Sequence, residues 1–128
     1  MKSPRRWLSV TLGALSLVLA VASWIVFAPV QLGGQVSYVI VVGNSMEPGF
    51  HRGDLALVRQ AADYTAGDIV AYRYPGLGIV FHRILEEAPD GRFTMKGDHN
   101  TWTDGFRPTE ADVIGRLWIH VPGAGQVL

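Results

Sequence analysis

The strongest constraint on the fold is an uncharged run from Trp7 to Val30, 24 residues long. A bilayer core takes about 20 apolar residues as a helix, so this length predicts a membrane-spanning helix. Ser9, Thr11, Gly13, Ser16 and Ser23 interrupt the apolar character without breaking it, because small hydroxyls can bond back to helix carbonyls. Trp7 and Trp24 suit the two interfaces. Lys2, Arg5 and Arg6 precede the run, which predicts a cytoplasmic N-terminus and a body that crosses to the other side. A cleaved signal peptide is the rival reading, because Ala20-Val21-Ala22 before Ser23 has the small-x-small form of a cleavage site. The apolar run continues through Trp24-Ile25-Val26-Phe27, and that length favours an uncleaved anchor. The expected organisation is a cytoplasmic N-terminus over residues 1–6, an anchor over 7–30 and an extracytoplasmic β domain over 31–128.

The remainder is long enough for one domain with a core. The chain has 11 basic and 11 acidic residues, but every acidic one lies beyond the apolar run. A mildly acidic body argues against a nucleic-acid partner. The absence of cysteine excludes disulfides, thiolate nucleophiles and thiolate metal sites. No His-Glu-x-x-His or similar ligand spacing occurs, and the phosphate-loop pattern is absent, so neither a metal nor another cofactor is expected.

After a short linker, Gln31–Gly34, runs rich in Val, Ile and aromatics predict strands at Val36–Val42, Asp54–Arg59, Ile69–Tyr74, Gly78–Leu85, Gly91–Lys96 and Val113–Val121. Gly67-Asp68, Pro75-Gly76 and Pro89-Asp90-Gly91 mark turns. No stretch beyond Val30 keeps a helical period, and Gly97 to Pro108 reads as a loop. The fold class is therefore mostly β: an all-β domain on one N-terminal transmembrane helix.

Ser45 lies in the turn that follows the first of these strands, in Val41-Val42-Gly43-Asn44-Ser45-Met46-Glu47-Pro48. It is either a turn residue or a nucleophile. A serine hydroxyl becomes nucleophilic at neutral pH only beside a base, which in turn needs an orienting group. Of the four histidines, His51, His99 and His120 suit solvated or structural roles, whereas His82 sits inside Ile79–Leu85, where a strand can aim it. Asp98 and Asp104, both in the loop, are the carboxylates available to orient it. Arg52-Gly53-Asp54 reads as a turn into the next strand, with Asp54 bonding local amides.

The ordered series GNSMEPGFHRGD, GDIVAYRY, IVFHRIL, KGDHNTWTD and DVIGR, covering roughly residues 36 to 116, resembles the box pattern of the type I signal peptidases (peptidase family S26), membrane-bound serine endopeptidases. The usual bacterial branch carries a lysine base where this chain has His82. The archaeal and endoplasmic-reticulum branch carries histidine, and the chain resembles that branch. Its only lysines are Lys2, before the apolar run, and Lys96, which belongs to another motif. The resemblance implies Ser45 as nucleophile, His82 as general base and Asp104 as the triad acid, with Asp98 as the alternate. Where relatives read Asp-Asp, this chain reads Thr103-Asp104. Where they often read Ser-Gly-Ser-Met, it reads Gly43-Asn44-Ser45-Met46, so the oxyanion donors are expected to be the Ser45 N–H and the Asn44 carboxamide.

The family cuts exported preproteins after small-x-small sites at the outer membrane face, with the substrate added as a β-strand. Met46, Val42, Val80 and Phe81 are the expected substrate-binding residues, and Val36–Val42 and Ile79–His82 the walls of the site. Ser45 lies 15 residues beyond Val30, within about 50 Å of the helix end even when extended. The expected partners are exported preproteins and the lipid bilayer, and the expected location is the cell membrane, single-pass, in preference to the endoplasmic reticulum. Two other readings are a catalytically silent membrane-tethered β module that binds exported chains and a self-cleaving Ser/Lys repressor-type peptidase. The second needs a lysine base that the chain does not offer.

Overall fold

A computed structural model describes residues 3–127. The chain divides after Gln35 into a helical unit and a β unit.

The helical unit is dominated by α1, Pro4–Phe27. It starts three residues earlier than the uncharged run because Ser3 caps it, accepting from the Arg6 N–H, and Pro4 occupies the first turn, where no N–H is needed. It stops before Val30 because Ala28 precedes Pro29, and a residue before proline is disfavoured in the α region. The Ser9 and Thr11 hydroxyls donate back to the Arg6 and Trp7 carbonyls. The helix is about 36 Å long at 1.5 Å per residue. By length and composition it could cross a membrane.

The β unit is one six-stranded sheet. Its strands are β1 (Val36–Ile40), β2 (Leu55–Arg59), β3 (Ile69–Tyr74), β4 (Gly78–Glu87), β5 (Phe93–Lys96) and β6 (Val113–Val121), and their spatial order is β1-β2-β6-β3-β4-β5. All pairings are antiparallel. The last strand in sequence thus sits in the middle of the sheet, where its first half pairs with β3 and its second half with β2. Gly115 allows this passage: a Cβ there would lie 2.8 Å from the Arg59 backbone.

All six strands fall on the expected runs, with shifts that have local causes. β1 ends at Ile40, not Val42, because Val41 closes the following loop instead: its N–H donates to the Asp54 carbonyl and its own carbonyl accepts from Gly53. The Val42 carbonyl is taken by Arg52 Nε at 2.7 Å. β4 runs on to Glu87, and β5 starts only at Phe93, because residues 88–92 form the turn between them, with Gly91 at φ 80°.

The sheet is packed on both faces. Val41, Met46, Phe50, Ala56, Val58, Ala71 and Phe81 form one cluster, and Tyr64, Val70, Tyr72, Ile84, Phe93, Met95 and Val113 another. Neighbours in β3 alternate between them, as strand geometry requires: Ala71 joins the first, Val70 and Tyr72 the second. In the β3–β4 ladder Val70 faces His82 and Tyr72 faces Val80, so these four side chains leave one side of the sheet.

Candidate active site

Ser45 sits in the β1–β2 turn, held from within and from the side. Within the turn, the Glu47 N–H donates to the Asn44 carbonyl and the Phe50 N–H to the Met46 carbonyl. From the side, the loop after β5 packs against it. The His99 N–H donates to the Ser45 carbonyl at 2.8 Å, and the Asp98 N–H reaches Met46 Sδ at 3.4 Å. Gly97 permits this approach, since a Cβ there would lie 2.7 Å from the Ser45 carbonyl oxygen.

His82 lies mid-strand in β4, 9 % exposed, and bridges two groups. Its Nε2 is 2.9 Å from Ser45 Oγ, and its Nδ1 is 2.7 Å from Asp104 Oδ2. With the ring proton on Nδ1 facing the carboxylate, the Nε2 lone pair faces the serine hydroxyl, the arrangement a general base needs. Asp104 is held through its N–H, which donates to the Met95 carbonyl, and through Oδ2, which also accepts from Tyr72 Oη at 2.5 Å. Burial acts to raise its pKa, but the hydrogen bonds from His82 and Tyr72 together outweigh burial and hold it below the usual carboxylate value.

Asp98, the alternate acid, is committed elsewhere. Its carboxylate takes a bidentate pair from Arg83 Nε and Nη2 at 2.8 and 2.9 Å, which also lowers its pKa. Arg83 Nη1 reaches the Gly67 carbonyl, so the guanidinium clamps the loop to β4 and the Gly67 turn. Asp98 is thus paired with Arg83, and Asp104 is the carboxylate hydrogen-bonded to His82 Nδ1. Lys96 Nζ donates to the Gly97 carbonyl.

Beside Ser45 and His82 opens a cleft of about 290 Å³. All four expected substrate-binding residues line it: Val42, Met46, Val80 and Phe81, together with Val39 and Ile79. Met46 is both wall and core, at 1 % exposure. Asn44 is exposed and does not line the cleft. Among the described residues, no group of three or more His, Cys, Asp or Glu is placed to hold a metal ion.

Sequence reasoning missed two polar features here. One is the Tyr72 hydroxyl on Asp104; the Pro75-Gly76 turn, by setting the β3–β4 register, was the signal that could have placed Tyr72 beside His82. The other is a second His–Asp pair. His120 Nε2 lies 2.7 Å from the buried Asp54 Oδ2, and Asp54 also accepts the N–H groups of His51 and Gly123. The His51 N–H was the expected local amide; the other two partners come from the far end of the chain. These bonds, led by the His51 and Gly123 amides, lower the Asp54 pKa to about 2.

Comparison with known proteins gives concordant matches. The model of the family described as Peptidase S24-like matches residues 12–118. The chain is similar to the signal peptidase complex catalytic subunit SEC11C of Homo sapiens, with 33% identity over 112 residues, covering 77% of this chain and 58% of the relative. It is also similar to the signal peptidase complex catalytic subunit sec11 of Pyrenophora tritici-repentis, with 35% identity over 103 residues, covering 70% of this chain and 60% of the relative. The chain thus spans under two thirds of the length of these curated relatives.

Proposed function

The chain belongs to the Peptidase S24-like family and, within it, to the type I signal peptidases of the endoplasmic-reticulum-type branch, and from that premise we propose that it is a membrane-bound serine endopeptidase that removes signal peptides from exported preproteins after small-x-small sites. One observation carries the reading: Ser45 Oγ, His82 and Asp104 in line, at 2.9 and 2.7 Å, beside an apolar cleft.

In this reading His82 Nε2 takes the Ser45 proton as Oγ attacks the scissile carbonyl. It returns that proton to the leaving amine, leaving an acyl-enzyme on Ser45. Water, deprotonated by the same nitrogen, then releases the signal peptide. Asp104 stabilises the imidazolium formed in each half. The Ser45 N–H is one oxyanion donor. Asn44 is the second, which requires its exposed side chain to turn over the cleft when substrate binds. Val42, Met46, Val80 and Phe81 crowd the residues before the scissile bond, so that small side chains fit and large ones clash.

The proposal extends to location and partners. Residues 7–30 anchor the chain in a cell membrane, residues 1–6 stay in the cytoplasm, and residues 31–128 work outside. The relatives are named as subunits of a signal peptidase complex; accessory subunits are proposed for this chain by extension.

The test is cleavage of a model preprotein in detergent micelles by wild type, Ser45→Ala and His82→Ala, with sequencing of the new N-terminus. The expected result is cleavage after a small-x-small site by wild type only. Undiminished cleavage by purified Ser45→Ala would refute the assignment of the nucleophile, and no cleavage by wild type would refute the proposed activity.

A further inference from the structure

The second hydrogen bond on Asp104 reaches beyond the triad. Tyr72 Oη and His82 Nδ1 both engage Oδ2, at 2.5 and 2.7 Å. Tyr72 is wholly buried, and a buried hydroxyl without a partner is costly, so Asp104 answers a need of the tyrosine as well. The ring is itself fixed. Phe106, two residues beyond Asp104, stacks on it with centroids 6.4 Å apart and planes at 23°, and Tyr74 lies against both. The loop that carries the carboxylate is therefore packed onto β3 by the residue that also bonds the carboxylate.

We propose that Tyr72 is a positioning residue for the catalytic histidine: its hydroxyl locks the Asp104 rotamer and keeps Oδ2 an acceptor of the His82 Nδ1 proton. The proposal rests on the serine peptidase reading above. A carboxylate oxygen that accepts two hydrogen bonds holds a proton less tightly than one that accepts a single bond, so the shared proton stays on Nδ1 and the Nε2 lone pair stays directed at Ser45. Burial, and then the bond to Asp104, push the phenol's own pKa upward, so Tyr72 remains a donor at any working pH. The other titratable groups on the surrounding elements are Arg73 and Tyr74 on β3, Arg83, Glu86 and Glu87 on β4, Lys96 on β5, Arg116 and His120 on β6, and Asp98, His99 and Arg107 in the loop. Arg83 and Asp98 neutralise one another.

Tyr72→Phe in the full chain, in micelles, removes only the hydroxyl. Releasing the Asp104 rotamer misplaces the carboxylate and with it the His82 ring, which predicts a fall in kcat of roughly ten- to a hundredfold, with KM within about twofold because the cleft is untouched. The freed Oδ2 stabilises the imidazolium more strongly, so the acid limb of the kcat profile moves to higher pH. A tyrosine that served packing alone would change the melting temperature and leave that limb in place. In an Asp104→Asn background, Tyr72→Phe should cost nothing more, whereas a full multiplicative loss would overturn the proposal. The downfield proton resonance of His82 Nδ1–H gives a readout that needs no substrate. If it shifts in Tyr72→Phe while wild type cleaves no preprotein, the positioning role stands and the proposed activity falls. An unchanged resonance with wild-type kcat and pH profile would overturn the positioning role alone.

Discussion

Gly97→Ala tests whether the close packing behind Ser45, the proposed nucleophile, controls the site. An added Cβ would lie 2.7 Å from the Ser45 carbonyl oxygen, 2.9 Å from Ser45 Cβ and 2.8 Å from Asn100 Nδ2, against 3.4 Å for ordinary contact. The Asn100 amide is the end of a flexible side chain and can rotate away. Ser45 offers backbone and Cβ, so the serine turn or the loop must retreat by roughly 0.5–0.7 Å, the shortfall from that ordinary contact. A retreat of that size takes Oγ from 2.9 Å toward the limit of hydrogen bonding to His82 Nε2. Misplacement by 1 Å can cost about a hundredfold in rate, so kcat should fall roughly ten- to a hundredfold. Overpacking costs about 1–3 kcal/mol, and the lost backbone freedom of the unfolded chain returns roughly 0.4–1 kcal/mol, so the net destabilisation should be modest. The assay is preprotein cleavage at saturating substrate beside thermal melting, with Gly49→Ala as control, since a Cβ there meets only the Met46 carbonyl at 3.8 Å. Wild-type kcat in Gly97→Ala would refute the reasoning.

Asp104→Asn should lower kcat by about 10⁴, as loss of the orienting acid does in serine peptidases. Asp98→Asn, which weakens only the Arg83 clamp, should leave kcat within about tenfold in the same cleavage assay. Asp54 has a depressed folded pKa, about 2 against 3.8. Its stabilising contribution, on the order of 1–2 kcal/mol, is therefore present above pH 3.8 and is lost as pH falls through 2. Acid unfolding of Asp54→Asn, followed by circular dichroism, should show a flatter stability loss over that window; an unchanged slope would count against the Asp54 network. Met46→Ala empties a site that is 1 % exposed and should cost about 2–5 kcal/mol in chemical denaturation. It should also widen the cleft, so that preproteins with a bulkier residue before the scissile bond are cut.

The elements of this chain are local products of its sequence. An apolar run of bilayer length, a serine cap and Pro29 suffice to define α1. Runs of β-branched and aromatic residues between glycine and proline turns suffice for the six strands. Ser45 and His82 were legible as candidates because one sits in a turn and the other on a strand, each a local property. The choice between Asp98 and Asp104 was not legible from the residues themselves. Both are carboxylates in one loop, and what separates them is which cation or imidazole each one meets.

That meeting is decided by the sheet order. Ser45 and His82 are 37 residues apart, His82 and Asp104 are 22 apart, Tyr72 and Asp104 are 32 apart, and Asp54 and His120 are 66 apart. No periodicity or propensity carries a contact over such separations. They arise because β6, last in the chain, enters between β2 and β3, and because the loop after β5 folds back on the serine turn through Gly97. The sequence alone therefore determined the helix, the strands and the candidate residues Ser45, His82, Asp98 and Asp104. The family resemblance favoured Asp104 over Asp98, but only the tertiary structure showed Asp104 facing the histidine, Tyr72 sharing its oxygen and Asp98 paired with Arg83, because hydrogen bonds and ion pairs act over a few ångströms in space, whatever the distance along the chain.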